Sequence, residues 1–169
     1  MSMVFTFRVL SDENDHFVRD YEARYDMTLL DFHRFICTDL GYDVSNLSSF
    51  FLSDGDWNKE AEFTLFDMNG VEDDPIAPKT MDKVLLGQIV HRERERLIYV
   101  FDQLGERALF LELMATKKAG EGIEYPRVAL SEGDAPDPEG ASPAFGGSIF
   151  DEMMDEFGDF SGDDNYDDE

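Results

Sequence analysis

The first part of the chain alternates between apolar and polar residues. Phe5 and Phe7 fall on one side of the segment 4–10, and the apolar residues of the segment 16–24 recur at spacings of two or four. Such an alternation is typical of a strand with one buried face. Because the run 11–15 between them is polar, the pattern predicts two strands joined by a turn.

The apolar spacing changes to three or four between positions 29 and 40, which is the period of an amphipathic helix. Thr28 precedes this segment as an N-cap, Asp31 follows three residues later, and Gly41 supplies a left-handed stop. The residues that share the apolar face are Leu29, Phe32, Ile36 and Leu40. We expect Phe32, Ile36 and Leu40 to be buried against a sheet that contains Phe5, Phe7, Tyr99 and Phe101.

The rest of the body predicts four more strands and a second, short helix. The strands are expected at 49–52, 62–66, 97–101 and 108–114, and a short helix, partly of the 3₁₀ type, is expected at 81–89 with Thr80 as its cap. The resulting order is β-β-α-β-β-α-β-β, which lacks a regular βαβ alternation. This order predicts the α+β class, with a mixed or antiparallel sheet and one main helix packed on a face.

Charge divides the chain into two parts. The sequence has 39 acidic and 14 basic residues, for a net charge of −25, and residues 131–169 contain 14 of the acids and no Lys or Arg. We therefore expect one domain at 1–130 with a single hydrophobic core. An acidic tail at 131–169 follows it.

The composition also excludes several classes of partner. A net charge of −25 repels the phosphate backbone of nucleic acids, so we expect no direct binding to them. No apolar run approaches the roughly 20 residues of a membrane span. The lone Cys37 cannot form an internal disulfide and no secretion signal begins the chain, which favours a cytoplasmic protein.

Three stretches of the body form a recognisable set. They are the segment 28–36 running to Gly41-Tyr42-Asp43, the hairpin 97–113 with Phe101-Asp102 before its turn, and Tyr125-Pro126 leading into Gly133-Asp134-Ala135-Pro136. In order and spacing, across residues 3–140, they resemble the plasmid pRiA4b ORF-3-like family. That family is described mostly from mobile elements and has no known biochemical function, so the resemblance implies a fold and little chemistry.

This chain departs from the family pattern at most of its polar positions. It has Asn46 and Ser48 in place of a His-x-His pair, Asp102-Gln103-Leu104-Gly105 in place of an aromatic-Asp-Phe-Gly-Asp turn, and apolar residues near Val128 and Ala135 in place of cysteines. Only His33 and Asp102 survive of the polar set. If typical members bind a metal through those groups, two isolated side chains cannot replace three or four ligands.

The individual reactive residues favour structural roles. His33 and Cys37 lie along the apolar side of the predicted helix, where a hydrogen-bonded histidine and a small core residue are the ordinary outcomes. Asp54-x-Asp56-x-Asn58 opens like a calcium loop, but Lys59 and Leu65 occupy the positions that require Gly and Glu. Because no nucleophile elbow or phosphate-binding loop is present, we expect no enzyme and no cofactor.

Arg92, Arg94 and Arg96 alternate with two glutamates just before the predicted hairpin. If this stretch is extended, the three guanidinium groups share one face and can receive a carboxylate, a phosphate or the acidic tail. The alternative is a solvated entrance to the strand. Trp57 lies in a polar turn, either as a cap on the sheet or as an exposed anchor.

The tail contains an amphipathic segment at 148–157. Its apolar residues recur at helical spacing and are Ile149, Phe150, Met153, Met154 and Phe157. Acidic residues occupy the other side of this predicted helix. Helices shorter than about 12–15 residues are marginal in water, so this one needs a groove to cover its apolar side. The alternatives are docking onto its own domain or a solubilising, disordered tail.

These observations predict a non-enzymatic protein-interaction module whose tail is the recognition element. Its partner is then an unknown protein or its own domain. The alternative hypothesis is a degenerate member of a metal-binding or enzymatic family that has lost its His and Cys groups.

Overall fold

The computed structural model describes residues 2–66 and 79–138, and the described residues up to Ala135 fold as one mixed sheet with a helix packed on one face. Residues 1–135 form a compact unit. A second unit begins at Pro136, and only its first three residues are described. The elements of the described ranges are β1 (Met3–Ser11), β2 (Val18–Arg24), α1 (Leu29–Leu40), β3 (Ser49–Ser53), β4 (Lys59–Thr64), β5 (Lys79–Thr80), a 3₁₀ helix (Met81–Lys83), α2 (Leu86–Ile89), β6 (Arg96–Asp102), β7 (Arg107–Lys118) and β8 (Arg127–Glu132).

Within these ranges the sheet has eight strands in the order β5-β4-β3-β6-β7-β1-β2-β8. All neighbouring strands are antiparallel except β4 and β5, which are parallel. The α+β class and the single main helix are confirmed. Two edge strands were not predicted, because β5 has only two residues and β8 lacks an alternation of buried and exposed side chains.

The ends of α1 follow the capping chemistry of the sequence. The hydroxyl of Thr28 accepts a hydrogen bond from the backbone N–H of Asp31 at 3.1 Å. At the other end, Gly41 has a φ of 79° and donates its N–H to the carbonyl of Cys37 at 2.8 Å. Because a left-handed φ is accessible to glycine without steric cost, Gly41 ends the helix as predicted.

Aromatic packing fixes α1 on the sheet. The ring of Phe32 stacks on Phe50 at 5.8 Å between centroids and contacts Phe7 at 5.4 Å. Phe32 and Ile36 are fully buried, as are the predicted sheet residues Phe7 and Tyr99. Leu40 was predicted to be buried as well, but it is only half-buried because it lies in the last turn of the helix, at the rim of the core.

The predicted helix at 81–89 is divided into the 3₁₀ helix and α2. Two backbone hydrogen bonds explain the division: the N–H of Leu29 donates to the carbonyl of Val84, and the N–H of Leu86 donates to the carbonyl of Met27, both at 2.9 Å. These bonds hold the backbone between the two helices extended. The predicted cap, Thr80, makes no capping hydrogen bond through its side chain.

Other predictions fall outside the described residues. The amphipathic segment 148–157 and most of the acidic tail lie there. Among the helices of residues 2–66 and 79–138, none is long and apolar enough to cross a membrane.

Removing the Phe32 ring will test the core. We expect Phe32→Ala to lower the free energy of unfolding by about 3–5 kcal/mol, because a fully buried aromatic side chain leaves a cavity when truncated. Urea denaturation of the purified protein measures this change. Leu104, which is fully exposed in the β6–β7 turn, is the control, and Leu104→Ala is expected to change the stability by less than about 0.5 kcal/mol. A near-neutral Phe32→Ala would contradict the packing described above.

Candidate functional site

A cleft of about 500 Å³ opens between α1, the loop that follows it and the segment that contains the 3₁₀ helix. Its described lining consists of Leu30, His33, Arg34, Val44, Ser45, Leu65, Phe66, Thr80, Asp82 and Lys83. Two of the apolar members are strongly exposed, Val44 at 46% and Phe66 at 53%. The cleft therefore combines an apolar lining with a few charged side chains, which is the usual composition of a ligand site.

His33 lies in the wall of this cleft and uses both ring nitrogens internally. Nε2 is 2.8 Å from the carbonyl oxygen of Val44, and Nδ1 is 2.7 Å from the hydroxyl of Tyr99. Because a carbonyl can only accept, Nε2 carries the proton and Nδ1 accepts the hydroxyl hydrogen of Tyr99. His33 thus connects α1 to the loop after it and to β6 in the sheet, which agrees with the predicted structural role.

Cys37 lies one turn further along α1 and joins the same cluster. Its Sγ is 3.4 Å from the hydroxyl of Tyr99 and 3.8 Å from Nδ1 of His33. Burial raises the pKa of the Cys37 thiol and of the Tyr99 hydroxyl, and it lowers the pKa of His33. All three groups are therefore neutral at physiological pH, and the thiol is not in its nucleophilic form.

The positions that carry a His-x-His pair in the family pattern lie on the loop after α1. Ser48 is buried, and its hydroxyl has two possible acceptors for its single hydrogen, the carbonyl oxygen of Asn46 at 3.0 Å and the hydroxyl oxygen of Tyr99. Asn46 is exposed. His33 and Ser48 thus meet the same tyrosine hydroxyl. Reasoning from the sequence placed Tyr99 in the core but missed this role, for which the signal was that a buried tyrosine hydroxyl needs a polar partner.

Asp102, the second family-matching residue, serves a different purpose. Its carboxylate accepts the N–H of Gly105 at 3.0 Å and lies 3.5 Å from a guanidinium nitrogen of Arg107. Arg107 in turn donates two hydrogen bonds to Glu13, each 2.9 Å long. Asp102 therefore shapes the β6–β7 turn, and no hydrogen bond among the described residues connects it to His33.

The arginines before the hairpin do not follow one extended face. Arg94 has a φ of 81° within a turn, and only Arg96 belongs to a strand. The guanidinium of Arg96 lies 4.5 Å from the ring centroid of Trp57, which itself packs edge-on against Phe110 at 5.2 Å. Because the backbone turns at Arg94, the stretch is not extended, and the condition for a face shared by Arg92, Arg94 and Arg96 is not met. Trp57 is a cap on the sheet.

The loop that resembled a calcium site uses its first carboxylate to form a turn. Asp54 accepts the backbone N–H groups of Asp56 and Asn58 at 2.8 and 2.9 Å, and the side-chain amide of Asn58 at 3.0 Å. Within residues 2–66 and 79–138, no three His, Cys, Asp or Glu side chains are grouped so that they could hold a metal ion.

The state of His33 predicts a dependence of stability on pH. Its pKa in the folded protein lies below the ordinary value of 6.5, so the unfolded chain binds more protons between the two values. The stability that neutral His33 contributes is therefore complete above pH 6.5 and is lost as the pH falls through the folded pKa. Urea denaturation at several pH values should show that His33→Gln removes this part of the pH dependence.

The exposed His16 provides the matched control for that experiment. His16→Gln should leave the pH dependence of the free energy of unfolding unchanged. An unchanged pH profile in His33→Gln would show that the buried, neutral histidine is not what destabilises the protein in acid.

Comparison with known proteins adds the family and a structural neighbour. No curated protein matches this chain. The crystal structure of a protein of unknown function from Methanosarcina mazei Go1 aligns with a TM-score of 0.67 and 16% identity, over 92% of this chain and 81% of that one. At this identity the likeness concerns the fold alone. The family model of the plasmid pRiA4b ORF-3-like proteins matches residues 4–159. The chain therefore belongs to the plasmid pRiA4b ORF-3-like family.

Proposed function

We propose that this protein is a non-enzymatic protein-interaction module, with residues 1–130 as the scaffold and the acidic tail as the recognition element. The observation that carries the proposal is the helical spacing of apolar residues in 148–157, with acidic residues on the other side. A helix of this length needs a partner surface to be stable in water. Met and Phe side chains on such a helix are suited to an apolar groove.

The chemistry of the scaffold supports this proposal. Cys37, Tyr99 and His33, the three reactive groups of the cluster beside the cleft, are at most 1% exposed and are hydrogen-bonded to one another. Burial keeps the thiol protonated, whereas nucleophilic catalysis requires a thiolate. These three side chains therefore stabilise the fold.

Charge restricts the class of partner. With a net charge of −25, the protein fits a groove with a basic rim, which would attract the acidic side of the tail helix and speed association. A nucleic-acid duplex is disfavoured for the same electrostatic reason. The lone Cys37, which cannot form an internal disulfide, fits a reducing cytoplasmic location.

Changing two anchors of the tail will test the proposal. We expect Phe150→Ser combined with Phe157→Ser to abolish capture of the partner while leaving the free energy of unfolding nearly unchanged, because the buried residues of the described main core all lie between Phe5 and Leu113. Affinity capture followed by titration of the identified partner measures the first effect, and urea denaturation measures the second. The control is Phe145→Ser, which makes the same chemical change outside the helical pattern. If the double variant keeps every partner of the parent protein, the tail is not the recognition element.

A second candidate function is that of a degenerate metal-binding protein. It is favoured by one observation: Ser48, at a position of the family's His-x-His pair, shares the hydroxyl of Tyr99 with His33. The residues now present do not fit a metal, since Nε2 of His33 donates to the carbonyl of Val44 and the other two positions are Asn46 and Ser48. This candidate therefore concerns the family's origin rather than a present activity.

Restoring the pair of histidines will separate the two functions. We expect the parent protein to purify without stoichiometric zinc or iron, and Asn46→His with Ser48→His to gain binding of added Co²⁺, seen by its visible absorption. Asn46→Ala with Ser48→Ala is the control. Stoichiometric zinc or iron in the parent would overturn the leading proposal. A double-histidine variant that folds but does not bind Co²⁺ would overturn the second candidate.

A further inference from the structure

The sheet face opposite α1 carries an apolar row that crosses its central strands. Residues directly opposite one another in the register join Leu10 of β1, Phe110 of β7, Ile98 of β6 and Phe51 of β3. These side chains point away from α1, because the residues that alternate with them pack against that helix. Ile98 belongs to a small cluster with Phe51, Phe110 and Trp57, separate from the main core.

This apolar row is only partly covered by the described residues. Leu10 is 42% exposed, and Phe51 and Phe110 are half-buried. The buried apolar residues of α1, the 3₁₀ helix and α2 all belong to the core on the opposite face. A row of large apolar side chains across four strands is the kind of surface on which two sheets pack.

A charged row runs beside the apolar one, separated from it by two residues on β1, β7 and β6, and it continues onto β2. In the register, Asp20 of β2, Arg8 of β1, Glu112 of β7 and Arg96 of β6 follow one another across the sheet. Arg8 and Asp20 form a two-pronged ion pair at 2.9 Å, and Arg96 lies 3.9 Å from Glu112. All four side chains keep between 15% and 41% of their surface exposed, so they are accessible to a partner.

The charges of this row alternate in sign, so the row is complementary to a second copy of itself that runs in the opposite direction. Read from β2 to β6, the row is negative, positive, negative, positive, so the reversed row has the opposite sign at every place. A two-fold axis that runs parallel to the strands, midway between β1 and β7, brings the reversed row of a second copy opposite the first. Asp20 then faces Arg96 of the second copy, and Arg8 faces its Glu112.

We propose that this sheet face is the contact surface of a symmetric homodimer, in which Leu10 of each copy packs against Phe110 of the other and the charged row sets the alignment. The partner is a second copy of this chain, because the surface is complementary to itself. Both copies then use the same residues, as in an isologous interface. The row carries no net charge within a chain of −25, so close approach is not opposed there. The proposal is independent of the function proposed for the tail.

Two exchange variants test the two-fold arrangement. Arg8→Asp with Asp20→Arg keeps an ion pair within the chain but turns the row into positive, negative, negative, positive. Arg96→Glu with Glu112→Arg produces the opposite pattern. In each homodimer every charge of the row then faces a like charge, whereas a heterodimer of the two variants pairs every charge with its opposite.

Analytical ultracentrifugation of the full chain and native mass spectrometry of the mixture are the measurements. We expect the parent to dimerise, each variant alone to dimerise about tenfold or more weakly, and the mixture to recover the parent's affinity as a heterodimer. Circular dichroism checks that the variants fold. The control is Leu104→Glu, which adds a charge at the exposed β6–β7 turn and should leave the dimer intact.

Several results would overturn the proposal. A parent protein that stays monomeric at every concentration excludes the dimer whatever the variants do. Variants that dimerise as well as the parent, or folded variants that remain monomers when mixed, exclude the two-fold alignment. A parent dimer that persists after Leu10→Glu, a change at the exposed end of the apolar row, places the contact on another surface.

Discussion

The molecule is organised around a histidine whose ring nitrogens must be hydrogen-bonded inside an apolar interface between helix and sheet. A buried polar group costs free energy unless it is hydrogen-bonded, and His33 is fully buried. Its two ring nitrogens meet this requirement with the hydroxyl of Tyr99 in the sheet and the carbonyl of Val44 in the loop after the helix. One side chain thereby fixes three elements, and that loop forms one wall of the cleft.

This arrangement determines which groups of the protein are accessible to other molecules. The cleft has a wall held by His33, but the reactive groups nearest to it are neutral and hydrogen-bonded within the fold. The tail sequence is rich in acidic residues, and partly exposed apolar side chains lie on the sheet face opposite α1. For these reasons our proposals concern contacts between proteins.

The sequence predicted features that depend on neighbouring residues, but it did not predict contacts between residues that lie far apart in the chain. Thr28 and Gly41 defined the ends of α1 because capping depends only on neighbouring residues. The segment 81–89 contains the 3₁₀ and helical turns that its spacing indicated, but the break between them depends on backbone bonds to residues far away in the chain and could not be located from the sequence. Likewise, nothing near Arg94 in the sequence indicated its positive φ. The identity of the hydrogen-bond partners of His33 also required the fold, since Tyr99 lies 66 residues further along the chain.

The state of the His33 ring tests this account most directly. Nitrogen chemical shifts of the histidine side chains, measured by NMR at pH 7 on the full chain, distinguish a protonated ring nitrogen from an unprotonated one. The account predicts a neutral His33 with the proton on Nε2 and an unprotonated Nδ1, in slow exchange with solvent. A ring that is protonated on both nitrogens at pH 7, or one that carries its proton on Nδ1, would contradict the bridge between helix, sheet and loop.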